Sequence, residues 1–227
     1  MTENASVAIL TKKEALTPAT FLISLEYPEI LSFKAGQHIG INIPTPDGHT
    51  KRYFSIASPP TKTNIIELII KIIPGGLASV FFERSNVGDQ ISISPPKGDF
   101  CFLNHENGVH FISSGTGIAP LRSMIYDLLK NHKFAYPIHL ISGFSMQDEI
   151  IFHSEFEDCK KAHPNFQYTL ITSKDASDYR DLCISNINFD QKNNFYLCGG
   201  DQFITHIENN LLQRGIARDL IHYENYK

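Results

Sequence analysis

The apolar positions of this chain change their period about halfway along. Up to about Leu103 they fall in short alternating or β-branched runs, at 21–25, 37–43, 51–57, 65–73 and 90–93, with a turn cluster from Pro44 to Gly48. Several short strands at this spacing predict an antiparallel barrel or sandwich. One interruption stands out: 77–84 has helical spacing and follows Pro74-Gly75-Gly76. From about Gly108 strands alternate with helical patterns. Strands are expected at 109–112, 138–141, 166–171 and 195–198, and helices at 121–131, 149–162 and 201–214. That alternation predicts a parallel sheet with helices on its faces. The expected division is 1–103 and 104–227, with 104–108 joining the halves.

Composition adds little to this picture and removes some classes. Of 227 residues, 42% are hydrophobic and 19% charged, ordinary for a chain that buries a substantial core. The formal net charge of −4 gives no basic excess that would point to nucleic acid or anionic lipid. No run of ~18 apolar residues predicts a membrane span, and the first residues, with Glu3 where a signal peptide carries basic groups, lead us to expect a cytoplasmic protein. Cys101, Cys159, Cys183 and Cys198 are scattered without a CxxC pair, which argues against a zinc site or a cysteine-held cluster. All but Cys198 are expected to be buried reduced thiols.

Five segments could carry chemistry. Arg52-Tyr53-Phe54-Ser55 lies on a predicted strand; the arginine fork suits a pyrophosphate, Phe54 could stack on a flat ring, and Ser55 could donate to a ring nitrogen. By itself this segment reads equally as a surface strand. Gly75-Gly76-Leu77-Ala78-Ser79 opens the predicted helix, where free N–H groups favour an anion. Ser113 to Pro120 contains Gly115-Thr116-Gly117 directly after a strand and before a helix, the context of a dinucleotide-phosphate turn. Proline stands where the usual fingerprint has its last glycine, and it fits the first helical turn. Tyr196-Leu197-Cys198-Gly199-Gly200 ends a late strand, where open parallel sheets bind ligands. The fifth is the tail His222-Tyr223-Glu224-Asn225-Tyr226-Lys227, whose two tyrosines around one acid suggest docking rather than fraying.

Together and in this order the five segments resemble the ferredoxin–NADP reductase family, over nearly the whole chain. The family's Arg-x-Tyr/Phe-Ser strand is similar to Arg52 to Ser55, its Gly-x-x-Ser helix start to Gly76 to Ser79, and its Gly-Thr-Gly-x-x-Pro turn to Gly115 to Pro120. Cys198-Gly199 and Glu224-Asn225-Tyr226 resemble its Cys-Gly pair and acid-x-aromatic end, and Phe33 to Gln37 and Gly88-Asp89 its barrel segments. The resemblance implies an N-terminal flavin-binding antiparallel β-barrel followed by a C-terminal α/β nucleotide-binding domain with a parallel sheet. It implies FAD as cofactor and NADPH or NADH as hydride donor. Arg52, with Tyr53 beside it, would meet the FAD pyrophosphate, and backbone N–H groups near Gly76, Ala78 and Ser79 would hold its other side. Phe54 would pack on the isoalloxazine, Ser55 would sit near N5, and Ile69-Ile70-Lys71 would supply backbone contacts. Thr116 and Gly117 would hold the coenzyme pyrophosphate, Cys198 and Glu224 would lie near the nicotinamide, and Tyr226 would cover the flavin face.

Three features depart from the family pattern or refine it. Phe54 replaces the tyrosine of plant-type members, and Lys227 follows the aromatic Tyr226. No cysteine cluster accompanies the two halves, so the acceptor is expected to be a separate ferredoxin, flavodoxin or oxygenase component. Ser173-Lys174 and Tyr179-Arg180 follow a strand where relatives that use NADP hold the 2′-phosphate; the cations favour NADPH, and the neighbouring Asp175 and Asp181 allow them to be solvated loop charges instead. Two further readings stand beside the reductase: an enzyme that releases flavin as a substrate, and a non-catalytic flavin or nucleotide module. Nothing in the sequence asks for more than a monomer.

Overall fold

The computed structural model describes residues 6–226, apart from 30, 62–63, 104–105, 131–133 and 174–175. It divides into two units. The first comprises residues up to Phe102 together with Arg122–Asp127, and the second comprises Leu103–Leu121 and the residues from Leu128 on.

The first unit is an antiparallel sheet of six strands: β1 (Ser6–Thr17), β2 (Thr20–Glu26), β3 (His38–Thr45), β4 (Gly48–Ser55), β5 (Ile65–Lys71) and β6 (Gln90–Ile93). Their order across the sheet is β4-β3-β6-β1-β2-β5. Inward residues of every strand, among them Ala8, Leu10, Ile23, Leu25, Ile39, Ile41, Leu68 and Ile93, form one core. The end strands β4 and β5 meet at a single bridge, Ile56 with Leu68, beside a hydrogen bond from Ala57 N–H to the Glu67 carbonyl at 2.7 Å. One helix, α1 (Leu77–Arg84), buries Phe82 in this core.

Strand β1 has no counterpart in the sequence expectations. Its second half reads Lys12-Lys13-Glu14, too polar to register as a strand. The first residues pair with β6 and the later ones with β2, with register shifts between Leu10 and Lys12 and between Ala15 and Thr17. Such bulges let one strand bend between two partners. The turn expected from Pro44 to Gly48 is tighter than the sequence suggested, because pairing of Thr45 with Gly48 carries the ladder to the hairpin tip. Within the segment grouped with this unit, Arg122 donates to Glu67 Oε2 and to the Ala57 carbonyl, both at 2.9 Å, and Ser123 Oγ donates to the Ser58 carbonyl at 2.7 Å. This buried pair is fully engaged, which is the condition for burying charge without a large penalty.

The second unit is a parallel sheet of β7 (Val109–Ser114), β8 (Ile138–Phe144), β9 (Phe166–Thr172), β10 (Asn194–Gly200) and β11 (Ile221–Tyr226). The order is β11-β10-β7-β8-β9. Helices α2 (Ile118–Lys130), α3 (His153–Ala162), α4 (Ala176–Ser185) and α5 (Asp201–Gln213) make the connections. The inner strands β7, β8 and β10 are buried along most of their length, as sheets covered by helices on both faces are, and the edge strands β9 and β11 are less so. The helix expected over 149–162 begins only at His153. Ile151 is turned into the core, and the chain reverses at Phe152 with φ 59°, in the left-handed region, before α3 can start. The tail is the edge strand β11.

Near the start of β7, His110 is 3% exposed, stacked at 5.2 Å on Phe195, with Asn193 Nδ2 3.3 Å from its Nε2. Burial lowers its pKa to about 4, His139 nearby acts in the same direction, and the Asn188 backbone opposes both. The unfolded chain takes up this proton near pH 6.5, so between there and about pH 4 it binds more protons than the folded one, and stability falls as pH falls. At full development this group accounts for about 3 kcal/mol. Denaturant midpoints at pH 7 and pH 4.5 should therefore converge in His110→Gln relative to the parent; an unchanged difference would contradict a buried neutral imidazole.

Candidate functional site

In the first unit the site grows from an unfinished sheet. Beyond the Ile56–Leu68 bridge no ladder joins Arg52–Ser55 to Ile69–Lys71, although both lie on end strands. Their outer edges therefore face a gap, which suits a ligand that needs backbone donors and acceptors. Arg52 is exposed and folds back to donate to the Lys51 carbonyl at 3.1 Å. Tyr53 is 52% exposed, with Lys97 Nζ 4.8 Å above its ring and His38 edge-on at 5.3 Å. Phe54 points the other way, as strand alternation requires, and meets Phe82 edge to face at 5.8 Å. Ser55 is buried.

From β5 the chain turns into α1. The helix has no acidic residue in its first turn and no side-chain cap at Gly76. One of the expected donors, Gly76 N–H, is already committed, and the Ser79 side chain serves the same turn as an acceptor. Gly76 N–H donates to the Ile73 carbonyl at 2.9 Å, and Ser79 Oγ accepts from Ile73 N–H at 2.8 Å. Both bonds shape the turn that precedes the helix. The N–H groups of Leu77, Ala78 and Ser79 have no partner within the helix, the ordinary condition of a first turn, and they are what an anion can use.

In the second unit β8 and β9 lie on one side of β7, and β10 and β11 on the other. The chain changes direction of winding between β7 and β10, and open sheets place ligands at the carboxyl ends of the strands at such a point. Two glycine turns occupy it. Gly115-Thr116-Gly117 forms a 3-10 turn after β7, and Cys198-Gly199-Gly200 ends β10. Gly117 packs on the Cys198 peptide so closely that a Cβ there would land on the Cys198 carbonyl and 2.9 Å from Gly199 N.

Cys198 is fully buried, and β11 sets Glu224 directly beside it in register and Tyr226 beside Gly200. Burial raises the Cys198 thiol well above its ordinary pKa; the Glu224 carboxylate adds to the rise and a hydrogen bond with Tyr226 opposes it. Asn225 Nδ2 donates to Asp201 Oδ1 at 2.6 Å, tying β11 to the start of α5. The candidates for the coenzyme's distal phosphate divide. Ser173 follows β9, whereas Lys174 lies outside the described residues, as does Lys227. Tyr179 and Arg180 belong to α4 rather than to a loop. The Tyr179 ring covers Gly143, where any Cβ would penetrate it, and stacks on Phe203 at 5.6 Å. Arg180 keeps a buried Nε without a hydrogen-bond partner. Sequence reasoning missed Gly143, whose signal was a glycine at the end of an apolar strand.

A flavin-type barrel followed by an open parallel nucleotide domain defines a class of two-domain dinucleotide-dependent oxidoreductases. Comparison with known proteins agrees segment by segment. Residues 7–102 match the oxidoreductase FAD-binding domain and residues 111–209 the oxidoreductase NAD-binding domain. The phenol hydroxylase P5 protein of Acinetobacter pittii is 35% identical over 155 residues, 67% of this chain and 43% of that relative. Ferredoxin–NADP reductase B of Sorangium cellulosum is 26% identical, over 86% of this chain and 85% of its own. In fold, the chain is similar to a ferredoxin–NADP+ reductase mutant from Plasmodium falciparum, with a TM-score of 0.88 and 22% identity over 100% of this chain and 98% of that one. The chain thus spans less than half of the phenol hydroxylase component that it matches. It belongs to the ferredoxin–NADP reductase-like family of NAD(P)H-dependent flavoprotein reductases, and it carries an FAD-binding and an NAD(P)-binding domain. Among the described residues no helix is long and apolar enough to cross a membrane.

Gly117→Ala should cost about 2–3 kcal/mol, the upper range for overpacking, because the obstacle is backbone that cannot rotate away. The coenzyme should also bind more weakly as the ends of β7 and β10 part. Urea midpoints and NADP+ titration measure the two effects, and a variant as stable as the parent would refute the close approach.

Proposed function

We propose that the protein is an FAD-dependent reductase that accepts hydride from NAD(P)H and delivers electrons to a separate acceptor, a ferredoxin, a flavodoxin or an oxygenase component. The observation that carries this reading is the gap between β4 and β5 lying in the same unit as an uncapped, acid-free helix start. A flat ring with a pyrophosphate tail needs both, and a purely structural barrel needs neither. The names of two relatives, a phenol hydroxylase component and a ferredoxin–NADP reductase, span two of the acceptor types.

FAD, when bound, supplies hydride acceptance and one-electron release. The chain's own residues bind and orient. Arg52, beside Tyr53, neutralises the pyrophosphate through paired donors, and the N–H groups of Leu77, Ala78 and Ser79 take its other side. Phe54 offers its ring to the isoalloxazine with no hydroxyl to direct, and Ser55 offers a buried hydroxyl to N5. Ile69, Ile70 and Lys71 present their outer backbone edge to the same cofactor. Thr116 and Gly117 receive the coenzyme's pyrophosphate on the turn after β7. Cys198, Glu224 and Tyr226 serve the nicotinamide end: a neutral thiol for packing, a carboxylate for holding a proton, and an aromatic ring that yields space to the nicotinamide. Ser173, Lys174 and Arg180 are assigned to the 2′-phosphate, with NADPH the preferred donor; the unmatched Arg180 Nε supports this.

Protein supplied with FAD, desalted and given NADPH without oxygen should keep a flavin spectrum that then bleaches. Colourless desalted protein would leave flavin as a released substrate or a non-catalytic role. Arg52→Ala should weaken FAD at least about tenfold, since hydrogen bonds to charged groups contribute about 1.5–3 kcal/mol; unchanged affinity would remove the pyrophosphate assignment.

For the coenzyme, Arg180→Ala should lower kcat/KM with NADPH about tenfold and leave NADH within twofold. Equal losses with both donors would detach Arg180 from the 2′-phosphate.

A further inference from the structure

The two ends of helix α1 are bonded differently. Each of its last four carbonyls has a protein partner. Phe81 O accepts from Ser85 N–H at 3.1 Å and from Ser85 Oγ at 2.8 Å, and Arg84 O accepts from Asn86 Nδ2 at 3.1 Å. The two between them belong to Lys13 on β1. Its Nζ donates to Phe82 O at 2.7 Å and to Glu83 O at 3.1 Å, and its third bond goes to Ser85 O at 3.1 Å. The same ammonium stands 5.6 Å from the centre of the Phe21 ring on β2. At the other end, Gly76 provides no side-chain cap, the Ser79 hydroxyl is spent on Ile73, and the first turn has no acid.

Eight residues make two turns, too short a helix to persist on propensity in water. Phe82 and Ser79 are its buried residues. A cation at a helix C-terminus stabilises the dipole as well as the carbonyls. Lys13 comes from β1, far away in sequence, so it fixes the helix to the sheet rather than merely finishing the helix.

We infer that Lys13 is a positioning residue for FAD: by taking the carbonyls of Phe82, Glu83 and Ser85 it sets where the first-turn N–H groups of α1 stand, and so the geometry of the pyrophosphate cradle. The inference rests on the reading that this first turn receives the FAD pyrophosphate. Lys13 touches no ligand. It acts through the helix, with its charge at the end opposite the anion.

The test titrates the full chain and Lys13→Met with FAD and with riboflavin, which carries the isoalloxazine without the pyrophosphate. Lys13→Met should raise the Kd for FAD about five- to tenfold and leave riboflavin within twofold. Equal weakening of both flavins would mean general loosening of the barrel and would overturn the inference, as would an unchanged Kd for FAD. If Lys13→Met does not fold, Lys13→Gln, which keeps an amide donor, takes its place in the same comparison. A parent protein that binds FAD no more tightly than riboflavin would overturn the pyrophosphate reading itself; a parent that favours FAD while the variant does too, to the same degree, overturns only the role of Lys13.

Discussion

The second unit depends on one backbone-to-backbone approach, that of Gly117 to the Cys198–Gly199 peptide. A Cβ of any kind would force the turn after β7 away from the end of β10. Those two strands flank the point where the sheet changes its direction of winding, and both glycine turns issue from them. Close packing here does two jobs at once. It keeps the Gly-Thr-Gly turn tight enough for the peptide N–H groups of α2 to follow immediately, and it seals Cys198 from water. The chemistry of the thiol, its neutrality included, follows from that packing rather than from the cysteine itself.

The first unit solves a complementary problem. A barrel that paired every strand would have no backbone groups to offer a ligand. This one closes at Ile56 and Leu68, and Arg52–Ser55 before that bridge and Ile69–Lys71 after it pair with their inner neighbours and form no ladder with each other. An open edge is a liability in a sheet, and here it is confined to a few residues beside a helix start. The helix has no side-chain cap at its N-terminus and is heavily bonded at its C-terminus.

Much of this was legible in the sequence because it rests on local rules. Glycine turns at strand ends, the helical spacing of Leu77–Arg84 and the alternation after Gly108 all follow from a few neighbouring residues, and the observed elements agree with them. What was not legible depends on distant partners. Strand β1 is polar along half its length because it pairs with two different strands, and only the pairing makes it a strand. Helix α4 was hidden because Tyr179 owes its burial to Gly143 and Phe203, and nothing in the sequence links those residues. Lys13 looks like a solvated strand charge until the carbonyls of α1, some seventy residues later, are set beside it. The Gly76 N–H, spent on Ile73, and the Ser79 Oγ, which accepts from Ile73 N–H, show the same limit from the other side: the motif gave the right turn but not which of its hydrogen-bonding groups are taken up within it.

The end of β10 shows how a chemically versatile residue can be restricted by its setting. A cysteine acts as a nucleophile only as thiolate, and thiolates form where a cation or an exposed, polar surrounding lowers the pKa. Cys198 has the opposite surroundings. Burial raises its pKa and the Glu224 carboxylate raises it further, while the Tyr226 hydrogen bond recovers part of the rise. A protonated thiol in a dry site cannot form a covalent adduct readily, but it gives a small, soft surface against which a flat ring can pack. The packing that buries Cys198 thereby withholds nucleophilic chemistry from it.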